Sequence, residues 1–171
     1  IPTVTPDGKL QLAEWLVANG IPATAFIDLG VIPNSLTPQI LREADVALFP
    51  NRCEGGTNLA AMECLACGIP TILSANTGHL DLIGDHCYPL RNQSPVQGIG
   101  AHQSYEDWGE SDVEEILAIL ELIYADRSQA QQRGSAAAKF MQDWSWDQQL
   151  DRLVIAIWDE GAAFDLEALM Q

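Results

Sequence analysis

Short apolar runs alternate with segments of helical periodicity through the first half of this chain. The runs predict four strands, because each is short, apolar and bounded by Gly, Pro, Asp or Asn: Ala23–Ile27, Val46–Phe49, Thr71–Leu73 and Cys87–Leu90. The segments between them predict helices from Pro6 to Asn19, from Thr37 to Glu43, and from the end of the Asn51–Gly56 loop to Gly68. Strands that alternate with helices indicate crossover units and a mostly parallel sheet. We expect Ile27, Phe49 and Leu73 to be buried between helical layers.

The last third of the chain is predicted to be helical. Ser111-x-x-Glu114 matches a capping box, which predicts a helix start there. Further helices are predicted from about Ser128 to Gln142 and from about Trp146 to Ala163. The polar segment from Arg91 to Gly109 has no periodicity, so we expect a long loop that is among the most mobile parts of the chain. The pattern predicts one α/β domain over residues 1–171.

Composition narrows the classes of function. A chain of 171 residues has the size of one ordinary domain, and 8 Lys and Arg against 24 Asp and Glu give a net charge of −16. So acidic a surface repels phosphate backbones and anionic lipid heads, which disfavours nucleic acid and membranes as partners. No apolar run approaches the roughly 20 residues of a membrane span. The start at Ile1 shows neither an initiator Met nor a signal segment, so we expect a piece of a longer protein. A domain of this size needs no disulfides, so a reducing, cytoplasmic location is expected.

The four cysteines leave a metal site as one open alternative. Cys64 and Cys67 form a C-x2-C pair, and His79, His86 and Cys87 are the nearest further donors for zinc. The simpler interpretation is that both thiols belong to the last turn of a helix that Gly68 terminates. We expect free thiols and no bound metal.

The loop after the second predicted strand is the strongest candidate for chemistry. In an open parallel sheet, ligands bind beyond the carboxyl ends of the strands, where loops lead into helices. Gly55 and Gly56 let the backbone approach a ligand, and Thr57 or Asn58 can cap the next helix. Carboxylates close to such amides suit a polyhydroxylated ligand. An ordinary Gly-rich turn before a helix explains the same spacing.

The residues around this loop resemble the donor-binding signature of group 1 glycosyltransferases (glycosyltransferase family 4), which are retaining enzymes of the GT-B type. The resemblance is carried by four segments, at 44–50, 54–56, 61–71 and 76–83, and extends to Trp144-Ser145-Trp146. It implies a Rossmann-like C-terminal domain that binds a nucleotide-diphosphate sugar, and a separate N-terminal acceptor domain as its partner.

The resemblance also implies roles for individual residues. Glu54 corresponds to the catalytic glutamate that contacts the donor sugar, and Glu63 to the glutamate that holds the ribose hydroxyls. The donor-binding set it implies, with no cofactor and no metal, is Gly55, Gly56, Thr57, Asn58, Leu59, Glu63, Gly78 and His79.

Departures from the family pattern keep a second function open. Eight residues, from Gly55 to Met62, separate the glutamates, one more than in the family, and the family's basic diphosphate clamp is absent, with Lys9 and Arg52 the nearest substitutes. A non-catalytic module that binds a nucleotide or a protein is therefore the alternative. His79, His86 and His102 form no constellation, so each is interpreted first as a surface or loop residue. Apolar surface after Trp146 would permit a homo-oligomer.

Overall fold

The computed structural model describes residues 11–96, 105 and 107–158. The chain divides into two units, Ile1–Thr37 and Pro38–Gln171. In the first unit, α1 spans Leu12–Ala18, and 3-10 turns span Ala23–Ala25 and Asn34–Leu36. The predicted first helix is thus confirmed over α1, while its start at residues 6–10 lies outside the described part.

The predicted strand Ala23–Ile27 is wrong. Its first three residues form a 3-10 turn, and the side chain of Ile27 is 86% exposed. A five-residue apolar run is too short for periodicity alone to decide its structure. The run begins directly after Pro22 and contains two alanines, which favour strands weakly.

The second unit carries the sheet and most of the helices. Its elements, in chain order, are α2 (Thr37–Leu41, starting at the boundary), β1 (Ala47–Phe49), α3 (Leu59–Ala66), β2 (Thr71–Ser74), a 3-10 helix (Thr77–Leu82), β3 (Tyr88–Leu90), β4 (Gln93–Pro95), β5 (Gly109–Ser111), α4 (Val113–Ala125), α5 (Arg127–Phe140), a 3-10 helix (Met141–Trp144) and α6 (Trp146–Trp158).

Strands β1, β2 and β3 form a parallel sheet in that order. Ala47 pairs with Thr71, and Ile72 pairs with Tyr88. All four residues of the central strand β2 are buried, and successive side chains point to opposite faces. Leu73 joins a cluster with α3 and α5, whereas Ile72 joins a cluster with α4 and α5. The sheet is therefore covered by helices on both faces, which confirms the predicted α/β, Rossmann-like class.

The residues predicted to fill the core differ in burial. Leu73 is fully buried. Phe49 is only half-buried and packs against the α3 cluster. Within the described residues β1 pairs with β2 alone, which leaves the outer side of β1 open and explains why Leu48 is 39% exposed.

Helices α3 and α5 approach each other backbone to backbone. Gly68 follows the end of α3 with a φ of +77°, as expected for a glycine that terminates a helix. A side chain at Gly134 of α5 would collide with the carbonyl oxygen of Gly68 and would come within 3.3 Å of the Pro70 nitrogen. The glycine at position 134 therefore sets how closely α5 covers α3.

The predicted loop from Arg91 to Gly109 is wrong at its two ends. Strands β4 and β5 pair antiparallel, with Gln93 opposite Ser111 and Pro95 opposite Gly109. Polar residues such as Gln93 and Ser111 give these short strands no hydrophobic alternation, so the sequence pattern does not reveal them. The expectation of mobility concerns mainly residues 97–104 and 106, which lie outside the described residues.

The predicted capping box is wrong, although a helix does start one residue later than predicted. Ser111 ends β5, and the cap of α4 is Asp112, whose Oδ1 accepts a hydrogen bond from the Glu114 nitrogen at 2.9 Å. Asp and Ser are about equally favourable as helix caps, so the sequence alone could not decide whether Ser111 or Asp112 caps α4. The predicted helix from about Ser128 to Gln142 is confirmed as α5. The last helix is confirmed as α6 to Trp158, and its predicted end at Ala163 lies outside the described residues.

Helix α6 exposes many large apolar side chains. Each of these side chains has about half or more of its surface exposed to solvent. They are Leu150, Leu153, Val154, Ile155, Ile157 and Trp158, as well as Trp146 at the start of the helix. By contrast, Trp144 packs against the α3 cluster.

Replacing Gly134 with alanine should destabilise the second unit, because the added methyl group meets backbone atoms that have little room to move. Overpacking of this kind costs about 1–3 kcal/mol. Urea unfolding followed by circular dichroism measures the loss. Ser135→Ala, at an exposed position of the same helix, is the control and should change the free energy of unfolding by less than about 0.5 kcal/mol. A Gly134→Ala variant as stable as that control would contradict this interpretation.

Candidate functional site

Two loops meet at the carboxyl edge of the parallel sheet. The glycine loop, residues 51–58, follows β1, and the 75–79 turn follows β2. The Glu54 nitrogen donates to the hydroxyl of Thr77 at 2.7 Å, and the Gly78 nitrogen donates to the Glu54 carbonyl at 3.2 Å. These bonds place the predicted site residues of both loops next to each other.

Gly78 belongs to this contact through its lack of a side chain. A Cβ at this position would collide with the carbonyl group of Gly56 and lie 3.0 Å from the Glu54 carbonyl oxygen. The 75–79 turn can therefore pack directly on the backbone of the glycine loop. Gly55 and Gly56 themselves have open space where a Cβ would stand. The two loops are thus in direct backbone contact through Gly56, while the positions that a Cβ of Gly55 or Gly56 would occupy are open.

The start of α3 offers a row of free backbone donors. Asn58 caps the helix, since its Oδ1 accepts from the Ala61 nitrogen at 3.1 Å and its carbonyl accepts from the Met62 nitrogen. Within the described residues, none of the N–H groups of residues 55–60 donates a hydrogen bond to the protein. Consecutive free amides at a helix start form a site for phosphate oxygens or sugar hydroxyls.

Asn58 adopts an unusual backbone conformation, with φ 59° and ψ 84°. This left-handed region favours glycine, although asparagine tolerates it better than most residues. Its side-chain nitrogen lies 2.8 Å from Nε2 of His79. Both ends of the Asn58 amide are therefore engaged, one by the helix and one by the histidine.

His79 lies in the turn after β2, as a loop residue would, but it is fully buried, so its interpretation as a surface residue is wrong. Its Nδ1 lies 3.1 Å from the carbonyl oxygen of Ser74, which can only accept, so Nδ1 carries the proton and donates. Nε2 is then the acceptor for the Asn58 amide. Burial lowers the pKa of His79 from its ordinary value, against smaller opposing effects of the Ser74 bond and the Glu54 charge. The imidazole is neutral and has both nitrogens occupied.

A buried amide, Asn76, holds the loops to the sheet. Its Nδ2 lies within 3.0 Å of the Asn51 carbonyl and of Oε1 of Gln93, and 3.3 Å from the Gly109 carbonyl. Its Oδ1 accepts a hydrogen bond from the hydroxyl of Thr77 at 3.1 Å. One side chain thus joins the ends of β1 and β2 to the β4–β5 hairpin.

The polar chain continues from Gln93 into the sheet. Nε2 of Gln93 donates to the Leu90 carbonyl and to Oγ of Ser111, both at 2.9 Å. Oγ of Ser111 lies 2.8 Å from Oγ of Ser74, which donates to the Phe49 carbonyl. Buried polar groups with every partner in place rigidify their surroundings. The sequence analysis assigned none of Ser74, Asn76, Gln93 and Ser111 to the site, although Asn76 lies within the 76–83 segment of the resemblance. Their positions at or near strand ends are the local signal that could have drawn attention to them.

The two candidate carboxylates differ in their surroundings. Glu54 is half-buried, and its Oε2 accepts from the side-chain nitrogen of Asn51 at 3.2 Å. Glu63 is exposed on α3, and Leu59 at the helix start is 75% exposed. Helical side chains generally lean toward the helix N-terminus, the end of α3 at which the free amides lie.

Arg52 is the basic side chain within the glycine loop. Its guanidinium pairs with the carboxylate of Glu110 on β5, and both side chains are about half exposed. The Gly109 nitrogen donates to the Arg52 carbonyl at 2.9 Å, so the hairpin also holds the Arg52 backbone. Lys9, the other substitute considered for a diphosphate clamp, lies outside the described residues.

The cysteines behave as buried or half-buried free thiols. All four are unpaired by disulfides. Burial, together with the nearby Cys67 and Glu63, raises the pKa of Cys64 to about 11, so this thiol stays protonated. Among the described residues, no group of three or more His, Cys, Asp or Glu side chains is placed to hold a metal ion. The zinc alternative therefore gains no support from Cys64 and Cys67.

Comparison with known families identifies the family of this chain. Residues 36–153, more than half of the chain, match the model of the family described as family 4 glycosyltransferase in conflict systems. This chain belongs to that family. The resemblance inferred from the sequence motifs is confirmed, and the matched segment contains every residue assigned to the candidate site.

Comparison with solved structures agrees on the fold. The family 4 domain is similar to the crystal structure of Anabaena HepE in complex with UDP, with a TM-score of 0.61 and 13% sequence identity. The match covers 85% of this chain and 36% of that chain, so the present sequence spans about a third of the length of HepE. No curated protein sequence matches this chain.

The described part of the family 4 domain contains no candidate for a membrane-spanning helix. None of its helices is both long and apolar enough to cross a bilayer.

Replacing Gly78 with alanine should displace the glycine loop, because the methyl group occupies the space of the Gly56 carbonyl. We expect a loss of about 1–3 kcal/mol in the free energy of unfolding. Gly55→Ala is the stability control, since nothing lies within 4 Å of the added atom. Urea denaturation of both variants measures the difference, and equal stabilities would show that the two loops do not depend on this contact.

Acidification should destabilise the domain through His79. Its pKa in the folded state lies below that of the unfolded chain, which is near 6.5. Above that pH the contribution to stability is complete, and it is lost as the pH falls toward the folded pKa, by at most about 1.4 kcal/mol per pH unit. Urea unfolding of the wild type and His79→Gln at pH 7.5 and 5.5 isolates this contribution. If the variant loses as much stability on acidification as the wild type, His79 is not the responsible group.

Proposed function

We propose that this family 4 domain is the donor-binding half of a retaining glycosyltransferase that transfers a glycosyl group from a nucleotide sugar. The observation that carries the proposal is the row of free amides at residues 55–60, at the carboxyl edge of the parallel sheet and between Glu54 and Glu63. The family match and the fold shared with a UDP-bound protein support it.

The proposal assigns the donor diphosphate and part of the sugar to those amides. Gly55, Gly56, Thr57, Asn58 and Leu59 supply N–H groups at or before the start of α3, where the helix dipole also favours negative charge. Binding by neutral amides suits a protein with a net charge of −16, because it needs no basic surface. The diphosphate is bound in this way without a metal ion.

Glu63 is proposed to accept hydrogen bonds from the two ribose hydroxyls. It lies on α3 one turn after the free amides, and its exposed carboxylate is available to a ligand. Glu54, two residues before Gly56, is proposed to contact the donor sugar and to take part in catalysis. Gly78 stabilises this arrangement, since it packs on the backbone of Gly56 and Glu54.

The acceptor is proposed to bind to a further part of the protein. This chain matches 36% of HepE, a share that fits one half of a two-domain enzyme. The exposed apolar face of α6 is a candidate contact for that further part, or for a second copy of the chain. A cytoplasmic location agrees with the free thiols of this domain.

One observation favours the alternative, a non-catalytic nucleotide-binding module. The carboxylate of Glu54 accepts a hydrogen bond from Asn51 within its own loop, and an additional residue separates it from Glu63 relative to the family pattern. Release of UDP from a UDP-sugar by the wild type, but not by Glu54→Gln, would favour the enzyme. UDP binding without any such release would favour the module.

Glu63→Gln should weaken nucleotide binding by roughly tenfold, because hydrogen bonds to a charged acceptor contribute about 1.5–3 kcal/mol and 1.4 kcal/mol corresponds to one decade. Calorimetric titration with UDP, GDP and ADP measures the affinities and identifies the preferred base. Glu121→Gln removes one exposed charge from α4 and should bind as the wild type does. Equal affinities of Glu63→Gln and the control would remove Glu63 from the site, and no binding by the wild type would contradict the proposed function.

A further inference from the structure

Both ring nitrogens of His79 are already occupied by protein groups. The side chain is fully buried, Nδ1 donates to the Ser74 carbonyl, and Nε2 faces the Asn58 amide. A histidine in this position affects the site only through the groups it contacts. Of these, the Ser74 carbonyl belongs to β2, whereas Asn58 belongs to the glycine loop.

The orientation of the Asn58 amide depends on His79. An amide side chain presents a donor at one end and an acceptor at the other, and the two can exchange places by a flip. Because Nε2 of the neutral histidine accepts, the Asn58 nitrogen points toward it and the Asn58 oxygen points toward the Ala61 nitrogen. The same residue holds a left-handed backbone conformation at the start of α3, which a non-glycine residue keeps only when its surroundings fix it.

We propose that His79 is a positioning residue of the donor site. Its neutral imidazole, protonated at Nδ1, holds Asn58 in the orientation that caps α3 and directs the free amides of residues 55–60 toward a nucleoside diphosphate. This inference rests on the proposed function, because the ligand is taken to be the diphosphate part of a nucleotide donor. It assigns His79 to support of the site rather than to contact with the ligand.

Protonation of Nε2 would break this arrangement. Two donors would then face each other, so the Asn58 amide would have to turn or withdraw, and the Ala61 nitrogen would lose its acceptor. Three neighbouring elements determine when this happens. β2 provides the Ser74 carbonyl, the start of α3 provides Asn58, and the glycine loop provides the Glu54 carboxylate, whose charge raises the pKa of His79 against the larger effect of burial. Donor affinity is therefore coupled to the charge of a buried residue.

Two conservative substitutions separate the two hydrogen bonds of His79. In His79→Gln the longer amide can place an oxygen near the position of Nε2 and still accept from Asn58. In His79→Asn the shorter amide can replace only the donor to the Ser74 carbonyl. Titration of UDP at pH 7.5 should give His79→Gln an affinity within about threefold of the wild type. His79→Asn should bind about tenfold more weakly, because the Asn58 amide then loses the acceptor that fixes its orientation.

His86→Asn is the matched control. His86, like His79, precedes β3 in the sequence. Its Nε2 bonds the Leu82 carbonyl and its ring stacks on Phe140, and neither of these contacts involves the glycine loop. Its replacement should leave UDP affinity unchanged even where it lowers thermal stability. A loss of UDP affinity in this variant equal to that of His79→Asn would show that general destabilisation explains both, and would overturn the positioning role.

The pH profile supplies a readout that a merely structural residue would not change. For each protein, the dissociation constant of UDP at pH 5 is divided by the constant at pH 7.5. UDP itself titrates in this range, so the wild-type ratio is compared with the ratio for His79→Gln, whose side chain at position 79 cannot be protonated. The wild type should show the larger ratio, by about threefold. Asn58→Asp places an acceptor opposite Nε2 and stabilises the protonated histidine, so its ratio should return to that of His79→Gln.

The tautomer of His79 tests the proposal in the wild type alone. Long-range proton–nitrogen spectra should show a neutral imidazole with its proton on Nδ1, and a proton on Nε2 would overturn the proposal. If the wild type binds UDP and both His79 variants bind equally well, the positioning role fails while the proposed function stands. If the wild type does not bind UDP, both fail together.

Discussion

The buried amide of Asn76 is the contact on which the site of this family 4 domain depends. Parallel strands end at a common edge, but their loops diverge unless something holds them together. Asn76 bonds the backbone after β1, the hydroxyl of Thr77 and the side chain of Gln93, and so joins two loops and a hairpin. An unpaired amide at this depth would cost several times what one satisfied hydrogen bond contributes. The native arrangement is therefore strongly preferred over those that leave Asn76 without partners.

Rigidity at the sheet edge passes to the helix start through close backbone contacts. Gly78 packs on Gly56, and Thr77 holds the Glu54 nitrogen, so the glycine loop cannot shift without breaking the contact with the 75–79 turn. His79 then fixes Asn58 from the protein interior. The result is a set of free amides whose direction is fixed before any ligand arrives. Such preorganisation reduces the free energy that binding must spend on ordering the site.

The sequence predicted the parallel sheet because the apolar runs of β1, β2 and β3 are short and closed by turn residues, and because Gly68 ends a helix in the usual way. It failed at Ala23–Ile27, where a run of the same appearance forms a 3-10 turn with Ile27 exposed. It also missed β4 and β5, since polar side chains such as Gln93 and Ser111 stabilise them through tertiary contacts. Local patterns carry no information about such contacts.

The candidate site could likewise be predicted only in part from the sequence. Gly55, Gly56 and Asn58 could be singled out because their residue types have a local meaning, and the structure places them at a helix start with free amides. His79 was assigned to the ligand by resemblance and, because the histidines form no constellation, interpreted as a surface or loop residue. The structure places it in the turn after β2 but buries it with both nitrogens occupied. Its role depends on a partner that is 21 residues away in sequence. No spacing rule brings those two side chains together.

Chemical-shift mapping of UDP binding tests the central claim most directly. The account predicts that the amide signals of residues 55–60 shift most when UDP is added to the isotope-labelled protein, because their N–H groups receive the diphosphate. Smaller changes are expected at the other edge of the sheet, where Val46, Pro70 and Leu120 line a cavity of about 740 Å³. Shifts centred on that cavity, or no shifts at residues 55–60 at saturating UDP, would contradict the account.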